Sequence, residues 1–219
     1  MTDPSMGIDL QKSLGLVART VSEELEKEGR RVRKVTLERT YATNVEDLWD
    51  AVTNRERLAR FFTPVSGELQ LGGRYQVEGN AGGTITECIP LKGFAATWEF
   101  GGGRSWIEVR FAPEGEDRAR LTLTHSCPVD DHWEKFGPGA VGIGWDLALV
   151  GLEAHFTIEG FDREAGESLM ISDVGKRFMI DASEDWGRAA LAGGEAPAQA
   201  QAAARRTAAF YTGEEVQEG

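Results

Sequence analysis

Hydrophobic positions along this chain change their spacing several times, and each change predicts a different kind of element. In "RVRKVTLERTY" (31–41), Val32, Lys34 and Thr36 alternate with Arg33, Val35, Leu37 and Arg39. Period-two alternation with β-branched residues predicts a strand. In "ATNVEDLWDAVTNRERLARFF" (42–62), Val45, Leu48, Trp49 and Val52 recur at helical spacing. Asn44 is placed to N-cap this helix, with Asp47 near its positive end. Thr53-Asn54 breaks it, and a second short helix carries Leu58, Phe61 and Phe62 inward before Pro64. From residue 65 to 126 the pattern becomes six short strands: "GELQL", "GRYQVEG", "GTITECI", "FAATWEF", "SWIEVRFA" and "RARLTLTHS". Their glycine-rich connections are too short for parallel crossovers, so they predict an antiparallel meander.

Trp145, Leu149, Leu152 and Phe156 then recur at helical intervals, predicting a long helix from near Ala140 to near Ile158. Two further helices are expected near Val174–Ala190 and Pro197–Tyr211, separated by "AGGEAPAQ", with an acidic end from Gly213. At the other end, residues 1–13 read as a loose tail. Residues 14–25 fit one helical face, or a strand turned back as a hairpin by "EKEGRR", and the hairpin is the preferred reading. The chain thus divides into an N-terminal extension (1–31) with a candidate extra strand, a central domain (32–158) and a helical C-terminal extension (159–219) packed on that domain.

Composition narrows the function classes. The 219 residues carry 24 Lys and Arg against 36 Asp and Glu, a net charge of −12. Such a surface repels phosphate backbones, so nucleic acid is not expected as a partner. "GRRVRK" (29–34) is the densest basic stretch and reads as the solvated start of a strand. No apolar run nears the roughly 18 residues a membrane span needs, and "MTDPSMGIDLQKSLG" lacks the design of a secretory signal. Cys88 and Cys127 are read as free thiols in a cytoplasmic protein. "HSCPVDDH" offers His125, Cys127 and His132 but no convincing fourth ligand, so no metal is expected, and no cofactor.

One motif requires a decision. "GPGAVGIGW" (137–145) contains G-x-G-x-x-G as Gly137, Gly139 and Gly142, with Asp162 twenty residues later. A dinucleotide turn must leave a buried strand and open a helix in a βαβ unit. The preceding "CPVDDHWEKF" is charged and proline-interrupted, and the rest of the chain is a meander. The glycines therefore read as room for close backbone approach, or for space beside Trp145. Each weakens the first helical turns by about 1 kcal/mol relative to alanine.

The order strand, two short helices, antiparallel run and long helix resembles the helix-grip fold of the START/Bet v 1-like superfamily (SRPBCC), an α+β class in which a curved antiparallel sheet wraps a long C-terminal helix. Within it, "RTYATNVEDLWDAVTNRERLARFFTP", "GGRYQVEGNAGGTITECIP", "ATWEFGG", "RLTLTHS" and "GPGAVGIGWDLALVGLEAHF" resemble the branch named for the activator of the heat-shock-protein-90 ATPase. The match covers about residues 32 to 158. It departs at Phe61-Phe62, where members often carry tryptophan. The N- and C-terminal additions resemble a bacterial, actinobacterial-type subgroup.

The resemblance implies a cavity between sheet and long helix. Phe62, Tyr75, Val77, Trp98, Phe100, His125, Trp145 and Leu149 are the expected ligand-binding residues, with Phe94, Ala96, Trp98 and Phe100 alternating inward along one strand. His125 continues the apolar face of Leu121 and Leu123. It is one candidate catalytic residue, as acid or base. Glu87 shares parity with Ile85 and Ile89 and is the other; Glu99 should face outward. Asp146 reads as an acid favoured at a helix N-terminal end. The expected function is binding of a small hydrophobic or amphipathic molecule by a monomer or homodimer, without a membrane role. The alternatives are a cyclase, hydrolase or dehydratase using His125 and a carboxylate, and a co-chaperone-like ATPase activator suggested by the family name.

Overall fold

The computed structural model describes residues 7–214; residues 1–6 of the expected tail and the acidic end from Glu215 lie outside them. Nine strands among the described residues form one antiparallel sheet: β1 (Ala18–Val21), β2 (Leu25–Lys27), β3 (Arg30–Tyr41), β4 (Val65–Gly67), β5 (Arg74–Val77), β6 (Gly82–Ile89), β7 (Gly93–Phe100), β8 (Gly103–Pro113) and β9 (Ala119–Pro128). The order is β1-β3-β9-β8-β7-β6-β5-β4, with β2 also paired to β3. Every strand from β5 to β9 pairs with its sequence neighbour, as short connections require. β3 closes the other side on β9, with Val35 opposite His125 and Leu37 opposite Leu123. The first meander strand is shorter and earlier than the "GELQL" pattern suggested, because Glu68 to Gly73 form a hydrogen-bonded turn.

The helices are α1 (Leu10–Gly15), α2 (Val45–Thr53), α3 (Arg55–Phe61), α4 (Asp131–Phe136), α5 (Gly139–Thr157), α6 (Arg163–Met170), α7 (Asp173–Ala192) and α8 (Pro197–Thr212). Asn44 caps α2 by accepting from the Asp47 amide at 2.8 Å. The expected tail over 1–13 instead enters α1, which is capped by Asp9 and runs on to Gly15, with Leu10 and Leu14 buried. α4 and α6 also arise where no helix was expected. Each is short and is started by an aspartate, Asp130 or Asp162, that accepts from a backbone amide three residues on.

α5 lies between the sheet and the C-terminal helices. It is apolar on nearly every side, the signature of a helix covered all round. The glycine motif serves the second covering. Gly137 ends α4 with φ +60°, its amide donating to the Trp133 carbonyl at 2.7 Å. A Cβ on Gly139 would stand 3.0 Å from Thr207 of α8, and one on Gly142 only 2.2 Å from the Trp186 indole of α7. The glycines thus dock α7 and α8 rather than cradle a phosphate or keep room beside Trp145.

Buried arginines tie the same side together. Arg19 of β1 pairs with Asp146 of α5 at 2.7 Å, and the Trp186 indole donates to the same carboxylate at 2.8 Å. Asp146 is 1% exposed, so it is a core ion-pair partner, not a helix-end charge in solvent. Burial pushes its carboxyl above the ordinary range, against the pull of Arg19. Arg33 of β3, expected in solvent, is 5% exposed; it pairs with Glu195 at 2.8 Å and donates to the Gly193 carbonyl at the end of α7. Arg39 donates to Ser13 of α1 and pairs with Glu153 of α5.

Candidate ligand-binding cavity

The opposite side of α5 is not filled. Trp145, Ala148, Leu149 and Leu152 face the sheet across a cavity of about 350 Å³. Its floor is the inward row of the meander: Tyr75, Val77, Ile85, Ala96, Ile107, Val109, Leu121 and Leu123, all buried. Phe94, Trp98 and Cys88 continue the wall, and Trp49, Val52, Leu58, Phe61, Phe62, Val65 and Leu69 close it. Most lining residues that keep partial exposure come from α2, α3 and residues 65–69, so the opening lies on that side. A second void of about 440 Å³ lies beyond Phe61, Phe62 and Ala148 against α6, with Asn80, Arg163 and Glu167 in its wall.

Of the expected ligand-binding residues, Phe62, Tyr75, Val77, Trp98, Trp145 and Leu149 line the cavity. Phe62 stacks on Trp145 with ring centroids 6.3 Å apart, and Trp145 meets Trp98 edge to face at 5.1 Å. The Tyr75 hydroxyl donates to the Thr97 carbonyl at 2.7 Å, so its proton is already used. Burial pushes that phenol well above its ordinary pKa.

Three expected site residues, Phe100, Glu87 and His125, lie outside the cavity wall, whereas Glu99 faces outward as expected. Phe100 is 62% exposed and outside the cavity wall. It is the last residue of β7, opposite Gly103 across the Gly101-Gly102 turn, where the alternation runs past the end of the floor. Glu87 is displaced by a β-bulge. Between Ile85 and Glu87 the register with β7 shifts, Ile85 facing Ala96 and Glu87 facing Ala95. The extra residue reverses the parity, so Cys88 lines the cavity while Glu87 pairs with Arg110 at 2.6 Å. Glu99, expected outward, pairs with the exposed Arg74 at 3.2 Å.

His125 points inward, as parity demands, but stands behind the cavity wall. Its Nδ1 accepts from the Trp145 indole at 3.0 Å. That fixes the neutral tautomer with the proton on Nε2, which lies 2.7 Å from the Ser105 hydroxyl. Ser105 in turn donates to the Trp98 carbonyl at 3.1 Å. Burial depresses the imidazole pKa to about 3. Both ring nitrogens are therefore spent on structure, and His125 anchors the two tryptophans from behind. The bulge and the indole–imidazole bond were both invisible to strand parity, which assigns a face but not a partner.

Among the described residues no cluster of three or more His, Cys, Asp or Glu could hold a metal ion, and no helix is long and apolar enough to cross a membrane. Both cysteines are free thiols.

A curved antiparallel sheet gripping one long helix, with an aromatic-walled space between them, defines a helix-grip protein of the START/Bet v 1-like class. Residues 42–157 match the family described as activator of Hsp90 ATPase homolog 1-like protein, and the chain belongs to that family. It is 36% identical over 81 residues to the mouse activator of 90 kDa heat shock protein ATPase homolog 1, and 35% identical over 81 residues to the human one. The match spans 36% of this chain and only 23% of each relative. Among solved structures it is similar to CalU16 from Micromonospora echinospora, with 25% identity and a TM-score of 0.70 over 81% of this chain and 96% of that one. A conserved protein of unknown function from Enterococcus faecalis shares the fold at 14% identity, with a TM-score of 0.59 over 82% and 95% of the two chains. The likeness to CalU16 covers more of the chain than the family segment does, so flanking elements belong to the shared architecture.

Proposed function

We infer that this protein binds a small hydrophobic or amphipathic molecule in the cavity between the sheet and α5. The observation that carries this reading is an aromatic-walled space of about 350 Å³, within the range of small-molecule sites, beneath a helix whose face toward α7 and α8 is tightly packed. A core of this size would ordinarily be filled to near-crystalline density. Leaving it open costs stability that a bound molecule returns. Catalysis through His125 and a carboxylate gains no support from the geometry, because Trp145 and Ser105 occupy both imidazole nitrogens and Glu87 is on the other face. ATPase activation is the role named for relatives that this chain matches over under a quarter of their length; no feature of the cavity favours it.

The test is titration with fluorene, an uncharged tricyclic hydrocarbon, followed by tryptophan fluorescence. Trp98 and Trp145 in the wall should report saturable binding at one site per chain. A linear, unsaturable response up to the solubility limit would contradict the reading.

A further inference from the structure

We propose that the cavity selects uncharged ligands bearing an oxygen acceptor, and that the indole N–H groups of Trp98 and Trp49 are the two donors available to such oxygens. The proposal rests on the reading of the cavity as a ligand site and adds the chemistry of what enters it.

The wall contains no Asp, Glu, Lys, Arg or His. A charged group carried inside would lose its water without gaining a counter-charge, a loss that apolar contacts do not recover. Ligand amines and carboxylates are thereby disfavoured.

The polar groups of the wall divide into those already used and those still open. Thr53 donates to the Trp49 carbonyl at 2.7 Å, Tyr75 to the Thr97 carbonyl, and Trp145 to His125. The indole N–H groups of Trp49 and Trp98 have no partner among the described residues, although both rings line the cavity. Neither nitrogen is among the fully buried unpaired atoms, so each keeps contact with open space. Indole can only donate. The donors of the wall still open are thus two indole N–H groups, one from β7 and one from α2, beside the acceptor lone pairs that the Thr53 and Tyr75 hydroxyl oxygens keep. A ketone, quinone, ether or lactone oxygen satisfies the donors without introducing charge. His125 sharpens the selection by consuming the Trp145 proton, which would otherwise be a third donor.

The experiment compares three probes: fluorene, fluorenone (the same ring system with one carbonyl) and fluorenone-4-carboxylate at pH 7. Each is titrated against the full chain and against Trp49→Phe, Trp98→Phe and the double variant, by calorimetry. Phenylalanine keeps the wall aromatic and removes the donor together with the second ring, so fluorene is the control for the lost volume. The expected result is that fluorenone's advantage over fluorene in the parent falls by about three- to tenfold in the double variant. Fluorene itself should bind both proteins alike, which also reports that the variant is folded. If the double variant does not fold, the advantage must fall in at least one single variant. The carboxylate should bind at least about tenfold more weakly than fluorenone. An advantage that survives loss of both indoles, or a carboxylate that binds as tightly as the ketone, overturns the proposal while leaving the cavity a ligand site. If no probe binds, both readings fall.

Discussion

The two long sides of α5 make a natural comparison. Toward α7 and α8 its surface is Gly139, Gly142 and Asp146, residues that bring backbone, indole and guanidinium into direct contact. Toward the sheet it presents Trp145, Ala148, Leu149 and Leu152, larger side chains that nevertheless leave about 350 Å³ open. The side with the smaller residues is the tighter one. Small residues permit close approach of a second helix, whereas large aromatic residues leaning on a curved sheet prop the layers apart. The division also explains the terminal extensions. β1 and α7 meet at Asp146, so both chain ends contribute to fixing α5 from outside while its inner side stays available.

Changes on the two sides should therefore differ in kind. The largest effect is expected for Asp146→Ala, which strands the buried Arg19 guanidinium and the Trp186 N–H. A loss of about 3–5 kcal/mol in urea unfolding is predicted. Gly142→Ala comes next, at about 1–3 kcal/mol, because the new methyl meets a fixed indole ring rather than a flexible chain end. On the open side, stability should respond to pH through His125. Its native pKa, depressed to about 3, lies below the ordinary value of 6.5, so the unfolded chain takes up the proton first as pH falls. The benefit of the neutral native imidazole is complete above pH 6.5 and is lost between 6.5 and 3, by up to about 1.4 kcal/mol per unit. His125→Asn, which keeps an acceptor near the Trp145 indole, should flatten this part of the urea-midpoint profile; an unchanged slope would assign it to other groups. The smallest effect is expected for Ala96→Leu, whose extra carbons enter the cavity from its floor. Stability should move by less than about 1 kcal/mol, against the larger cost of overpacking a filled core, while fluorene binding is lost.

Much of this division was legible before any coordinates. Alternation placed Ala96, Trp98, Leu121 and Leu123 on one face, Asn44 announced the start of α2, and the spacing of Trp145, Leu149 and Leu152 gave the inner side of α5. On its outer side the glycines were legible as room for close backbone approach, but not the helices α7 and α8 that use that room. What stayed hidden depended on contacts between distant segments. The Glu87 bulge is a property of pairing with β7, not of β6 alone. Arg19 and Asp146 are 127 residues apart, and either one read singly is an ordinary charged residue. His125 showed its face but not the indole that occupies it, and that partner decides between a base and a brace.

The most direct measurement is isotope-edited NMR of the protein saturated with fluorene, recording intermolecular NOEs to side chains on both sides of α5. The account predicts NOEs to Leu123, Leu149 and Trp98 and none to Trp186 or Ala203. NOEs confined to the α7–α8 side, or to exposed residues such as Phe100 and Phe210, would contradict it.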